Sequence, residues 1–130
     1  MNVEVVGQVV GKRETVLIVD DHEGFRTSMR RMLERAGYDI VGEAVDGRSA
    51  IAEAVRLRPD VALVDIRLPD IDGFEVAKAI RAAGSAGSIL LISTRQRVDY
   101  GERLAASGAD GFIEKSDLSA GSIAAIVHGL

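Results

Sequence analysis

Four apolar runs in this 130-residue chain each end on side chains able to do chemistry. Val16-Leu17-Ile18-Val19 leads into Asp20-Asp21, and Val61-Ala62-Leu63-Val64 leads into Asp65. Ile89-Leu90-Leu91-Ile92 ends on Ser93-Thr94, and Phe112-Ile113 runs through Glu114 into Lys115. Brought to one edge, three carboxylates, a hydroxyl and an ammonium make an unusual set. Close carboxylates repel one another unless a cation lies among them. Oxygen-only ligands suit a hard ion, and Mg²⁺ takes one or two carboxylates while keeping several waters. A carboxylate oxygen left free beside such an ion is a nucleophile toward phosphorus. Each residue alone has a plainer reading: Asp20 as a helix cap, Ser93 as a turn hydroxyl, Lys115 as a solvated charge. Their coincidence at four run ends is what favours chemistry.

Runs that are apolar on both faces fit strands of a parallel sheet covered on both sides. Ile40-Val41 is a weaker fifth run. Between the runs the apolar spacing is helical. Phe25, Met29, Met32, Leu33 and Ala36 form one stripe, Ala50, Ile51, Ala54 and Val55 a second, and Phe74, Ala77 and Ile80 a third. Ile123, Ile126, Val127 and Leu130 form the last. A fourth helix is expected over residues 96–106, weakened by Gly101 in its middle. Strand and helix alternating five times predict right-handed crossovers and a three-layer α/β sandwich. In such a sheet, ligands bind outside the carboxyl ends of the strands, where the reactive residues fall. Residues 1–14 stand outside this rhythm and read as a leader, leaving 15–130 as the domain.

Composition removes most other functions. With no Cys, thiolate metal sites, disulfides and cysteine nucleophiles are excluded. A net charge of −4 and an aromatic share of 4% argue against a nucleic-acid surface, which needs cations and stacking platforms. No apolar run is long enough to span a membrane, and the first ten residues lack a basic start followed by a continuous apolar stretch. A cytoplasmic domain is expected. His22 follows the acidic pair and reads as a first-turn helix residue; with His128 the only other histidine, a histidine metal cluster is not expected.

From Thr15 to Leu130 the chain resembles the receiver domains of bacterial two-component response regulators. The matching pieces are Val16–Asp21, Pro59–Asp65, the loop Asp65-Ile66-Arg67-Leu68-Pro69-Asp70-Ile71-Asp72-Gly73, Ile89–Ser93 and Gly108–Lys115. The resemblance implies a flavodoxin-like strand order, 2-1-3-4-5, with five helices. It also implies that Asp65 accepts a phosphoryl group from a phosphohistidine on a sensor histidine kinase. Mg²⁺ would be held by Asp21, Asp65 and the backbone carbonyl of Arg67, with Asp20 helping through water. Lys115 would pair with the phosphoryl group. Ser93 would swing in to hydrogen-bond it, and Phe112, at the aromatic switch position, would follow inward. Output, as self-association or effector docking, would emerge where the fourth helix, fifth strand and fifth helix meet solvent, a face expected to include Tyr100 and Arg103.

Some positions depart from the usual pattern. Ser116 stands where many receivers have proline, and Arg67 and Arg95 lie two residues past Asp65 and Ser93. Rossmann and P-loop readings fail, because Asp20-Asp21-His22-Glu23-Gly24 replaces the glycine-rich phosphate loop. A metal-dependent phosphatase is disfavoured, since Arg67 supplies no acid–base carboxylate. The remaining alternative is an interaction module with the same fold that works without phosphorylation. The complete acidic set favours a phosphoacceptor, a switch and not a true enzyme.

Overall fold

Val, Ile and Leu pack well on a pleated surface, and the β-branched ones are stiff at χ1. In the computed structural model, which describes residues 13–129, the apolar runs are strands: β1 (Thr15–Val19), β2 (Asp39–Ala44), β3 (Val61–Asp65), β4 (Ser88–Ser93) and β5 (Gly111–Glu114). The helices are α1 (Glu23–Arg35), α2 (Gly47–Leu57), α3 (Gly73–Ala83), α4 (Glu102–Ala106) and α5 (Ala120–Val127). Every pairing is parallel, and the sheet order is β2-β1-β3-β4-β5. This is the expected fold.

Alternation along the strands explains why the runs are apolar throughout. Leu17, Val19, Ala62, Val64, Ile89 and Leu91 face a layer supplied by α2 and α3, with Ala54, Phe74 and Ile80 among its side chains. Val16, Ile18, Leu63, Leu90 and Ile92 face the opposite layer, built on Met29 and Leu33 of α1 and Ile123 of α5. Leu17, Ile18, Leu63, Leu90, Leu91 and Ile92 are fully buried. Burial of each such side chain contributes about 1.5–3 kcal/mol. The central strands β1, β3 and β4 are therefore the firmest part of the fold. Asp20 follows the first of them, and Asp65 and Ser93 end the other two.

The structure departs from the sequence reading at several points. β2 is longer than Ile40-Val41, and its register with β1 shifts between Val16 and Leu17. Val55, counted in the second stripe, is half exposed. The fourth helix is not continuous over 96–106. A 3-10 turn over Arg97–Asp99 comes first, with the Gln96 amide donating to Asp99 Oδ2 at 3.0 Å. Gly101, at φ +55°, then breaks the chain before the five-residue α4. Glycine tolerates that left-handed turn where other residues are strained. The leader reading lies almost wholly outside the described residues, as does Leu130. Of its last two residues, Glu14 accepts the Asp39 amide through its carbonyl at 2.9 Å, and its carboxylate lies 2.7 Å from His128 Nε2.

Candidate functional site

Parallel strands place their carboxyl ends along one edge, so residues far apart in sequence meet there. Asp20 is wholly buried. Its amide donates to the Ala44 carbonyl at 3.0 Å, and its own carbonyl accepts from Arg26 Nη1 at 2.8 Å. One carboxylate oxygen accepts the His22 amide at 2.8 Å, and the other lies 2.7 Å from Lys115 Nζ. Asp65 is also buried; its Oδ2 is 3.3 Å from the same ammonium, and its Oδ1 accepts the Arg67 amide at 3.3 Å. Lys115 thus bridges the two acids. Its Nζ lies over the Phe25 ring, 4.2 Å from the centroid, a favourable cation–π distance.

The electrostatics follow from burial set against pairing. Burial pushes the Asp65 carboxyl up to about 6, helped by the charge on Asp20 and opposed by Lys115. Burial acts on Asp20 in the same sense. There the hydrogen bonds from Lys115 and the His22 amide, with the lysine's charge, outweigh it and hold the carboxyl below its ordinary value. Burial would lower Lys115, but its bonds and attraction to Asp20 and Asp65 raise it. The ammonium stays charged and Asp65 is left as the weakly compensated acid.

Asp21 stands at the rim, its side chain over a third exposed. His22 is the N-cap of α1, one position outside the helix turn expected for it, and makes no capping bond. Its Nδ1 lies 3.0 Å from Asp20 and 3.1 Å from Asp21. Asp20, Asp21, His22 and Asp65 each offer a ligand atom within 4.8 Å of the others. His128 pairs with Glu14 and takes no part. Carboxylate oxygens dominate the group, and two of the acids are buried at strand ends, so the donor set fits a hard divalent cation. Asp20 already has both oxygens engaged, whereas Asp21 is partly exposed at the rim and has only His22 beside one oxygen. An open cleft of about 430 Å³ lies over the acids, lined by Asp21, Asp65, Arg67, Thr94 and Lys115 among others.

The loop after β3 is fixed by three devices. A Cβ at Gly73 would lie 2.5 Å from the Asp65 carbonyl oxygen, so only glycine lets α3 start this close to the strand. Asp72 caps α3 by accepting the Glu75 amide at 3.0 Å. Asp70 reaches across to α2 and accepts the amides of Gly47 and Arg48 at 2.7 and 2.9 Å. Burial would raise Asp70, but those bonds and the Ile71 amide hold it at about 2. Sequence reasoning did not single out Asp70 or Arg26.

Ser93 is buried at the end of β4, but its hydroxyl does not enter the cleft, which Thr94 lines instead. Ser93 Oγ accepts the Arg95 amide at 3.0 Å and lies 2.5 Å from the Tyr100 hydroxyl. Tyr100, expected on the solvent face of the fourth helix, is half buried, its ring edge-on between Phe74 and Phe112 at 5.4 and 5.9 Å. Phe112 is already inside in this conformation. The chain has three Phe and two Tyr in all. Three of these five rings sit in one row against the site, so their scarcity was the signal available. Arg103 is as exposed as expected.

Fold and site together define a doubly wound α/β domain with an acidic pocket at the carboxyl edge of its parallel sheet. The family model of the response regulator receiver domain matches residues 16–127, and the chain belongs to that family. It is a receiver domain of two-component response regulators. It is 31% identical over 110 residues to the DNA-binding transcriptional activator EvgA of Escherichia coli, covering 85% of this chain and 54% of that protein. It is 33% identical over 106 residues to the chemotaxis protein CheY of Thermotoga maritima, covering 82% and 87%. The signal receiver domain of a NarL response regulator from Mycobacterium tuberculosis superposes with a TM-score of 0.82 at 30% identity, covering 92% of this chain and all of that one. The chain thus spans about half the length of EvgA and most of CheY. Among the described residues, no helix is long and apolar enough to cross a membrane.

Proposed function

We propose that this domain is a Mg²⁺-dependent phosphoacceptor switch in which Asp65 receives the phosphoryl group. The observation that carries the reading is the pairing of a buried Asp65 with Lys115 at the floor of an open cleft. An Asp65 oxygen attacks phosphorus on a kinase phosphohistidine. The new P–O bond forms as the P–N bond breaks, and the electron pair leaves on the imidazole nitrogen. Asp21, Asp65 and the Arg67 carbonyl would hold Mg²⁺, and Asp20, whose oxygens are taken by Lys115 and His22, would act through water. When bound, the ion supplies positive charge against the phosphoryl oxygens. Lys115 keeps Asp20 paired and presents its remaining protons to the incoming group. Ser93, once turned toward the cleft, donates to a phosphoryl oxygen.

The partner is a sensor histidine kinase, and the setting is cytoplasmic. Output would leave through the face of α4, β5 and α5, where a groove of about 460 Å³ is lined by Arg97, Val98, Leu104 and Phe112 among others, with Val98 78% exposed. The domain is a phosphoryl acceptor and not a true enzyme, with at most slow loss of its own phosphoryl group. Incubation with Mg²⁺ and acetyl phosphate should add one phosphate by intact mass, and Asp65→Asn should abolish the addition. Failure of the wild-type chain to be labelled would favour a phosphorylation-independent interaction module. Labelling of the variant would move the acceptor to another residue, with Asp21 the next candidate.

A further inference from the structure

We propose that Tyr100 is a positioning residue for phosphorylation, its hydroxyl holding Ser93 out of the acidic cleft until a phosphoryl group competes for it. The inference rests on the phosphoacceptor reading and adds a gate to it. Ser93 Oγ is buried and has two partners, the Arg95 amide and the Tyr100 hydroxyl. To meet a group on Asp65 it must give up the bond to Tyr100, and a buried hydroxyl does so only for an equal or better partner. A phosphoryl oxygen is charged and is a better one.

The aromatic row determines what moves when the bond breaks. Phe112 is buried already, so no inward swing of that ring is left to couple the site to the surface. Tyr100 is the side chain that touches both Ser93 and Phe112. It closes the 3-10 turn before Gly101 and α4, and α4 has no fully buried residue. A second polar tether holds the same segment: Arg103 Nη2 lies 2.7 Å from Asp72, with its guanidinium over Phe74 at 4.3 Å. Both tethers run to loops that follow the strands of the site, one after β3 and one at β4. Release of Tyr100 removes one of them. Segments with few buried contacts are the ones that change arrangement at small cost.

Tyr100→Phe deletes the hydroxyl and keeps the ring between Phe74 and Phe112. Beryllofluoride with Mg²⁺, a phosphoryl mimic, should bind the variant about fivefold more tightly than the wild type, as expected when one competing hydrogen bond is lost. In a Ser93→Ala background the same substitution should leave the affinity unchanged, because the hydroxyl acts through Ser93. A ring needed only for packing would shift both backgrounds equally, and that result would overturn the proposal. So would equal or weaker beryllofluoride binding by Tyr100→Phe with Ser93 present. Amide exchange in the free protein supplies an independent reading: residues 95–106 should exchange faster in Tyr100→Phe than in the wild type, and unchanged exchange would also overturn it. If the wild type binds no beryllofluoride, the phosphoacceptor reading falls and the gate with it; if it binds and only the variant fails to respond, the gate alone falls.

Discussion

Asp65→Asn removes one charge at almost constant volume, so its effect on stability isolates what holding that charge costs. Burial, then the neighbouring Asp20, push the Asp65 carboxyl from its ordinary 3.8 up to about 6, against the pull of Lys115. Between those values the native chain holds a proton that the unfolded chain has released. The stability linked to Asp65 is thus fully present below 3.8 and is lost as pH rises through about 6. At about 1.4 kcal/mol for each tenfold change in proton affinity, ionised Asp65 costs the fold about 3 kcal/mol at neutral pH. Asparagine escapes that cost. Urea denaturation in Mg²⁺-free buffer should show variant and wild type equally stable near pH 4, about the ordinary carboxylate range. The variant should then gain through about pH 6 and level off about 3 kcal/mol more stable at pH 7 and above. Added Mg²⁺ should narrow the gap, since an ion bound only by the native state stabilises it by mass action, and by more where Asp65 is a ligand. A variant less stable than wild type at neutral pH, or a difference flat across the range, would refute the account of Asp65 as a weakly compensated buried acid.

Two further perturbations probe the rim and the loop. Asp21→Ala should lose Mg²⁺ affinity by tenfold or more in a titration while its melting temperature stays level or rises, because it thins a crowded group of carboxylates. Unchanged Mg²⁺ binding would remove Asp21 from the proposed ligands. Asp70→Ala should lower the melting temperature by freeing the Gly47 and Arg48 amides at the start of α2. The Asp70 carboxyl is depressed from the ordinary 3.8 to about 2, so its contribution is present above 3.8 and is lost as pH falls through about 2. The gap between variant and wild type should therefore close in acid, which melting curves from neutral pH downward will show.

The central strands and the acids at their ends were legible in the sequence for a geometric reason, whereas the strand order came from the family resemblance. A strand buried on both faces reads as an unbroken apolar run, so its last residue is sharply marked, and Asp20, Asp65, Ser93 and Lys115 all adjoin such ends. What could not be read was where side chains turn once the chain leaves the strand. Ser93 stands where expected, yet its hydroxyl bonds Tyr100, because the backbone from Gln96 to Gly101 curls into a 3-10 turn that presents the ring inward. The resemblance implies a single fourth helix with Tyr100 on its solvent face. The Asp70 contact with α2 was equally invisible, since it spans 23 residues between a loop and the start of a helix and leaves no periodic trace.

The same division between strand and loop explains how the site can respond without the fold giving way. The acids sit at the ends of strands whose inner side chains are fully buried on both faces, and moving them would open two cores at once. Fixing them there is unfavourable for Asp65, and the rigid sheet sustains that tension in place of letting the acids drift apart. The segment from Ser93 to α4 is held differently, by a hydroxyl pair, an exposed ion pair and two edge-on aromatic contacts. A phosphoryl group on Asp65 would add charge at the rigid end and draw one hydroxyl from the compliant end. Since the sheet resists displacement more than that segment does, the new bond would be met by rearrangement of residues 94–106, on the side where Val98 and the groove beside Phe112 already face solvent.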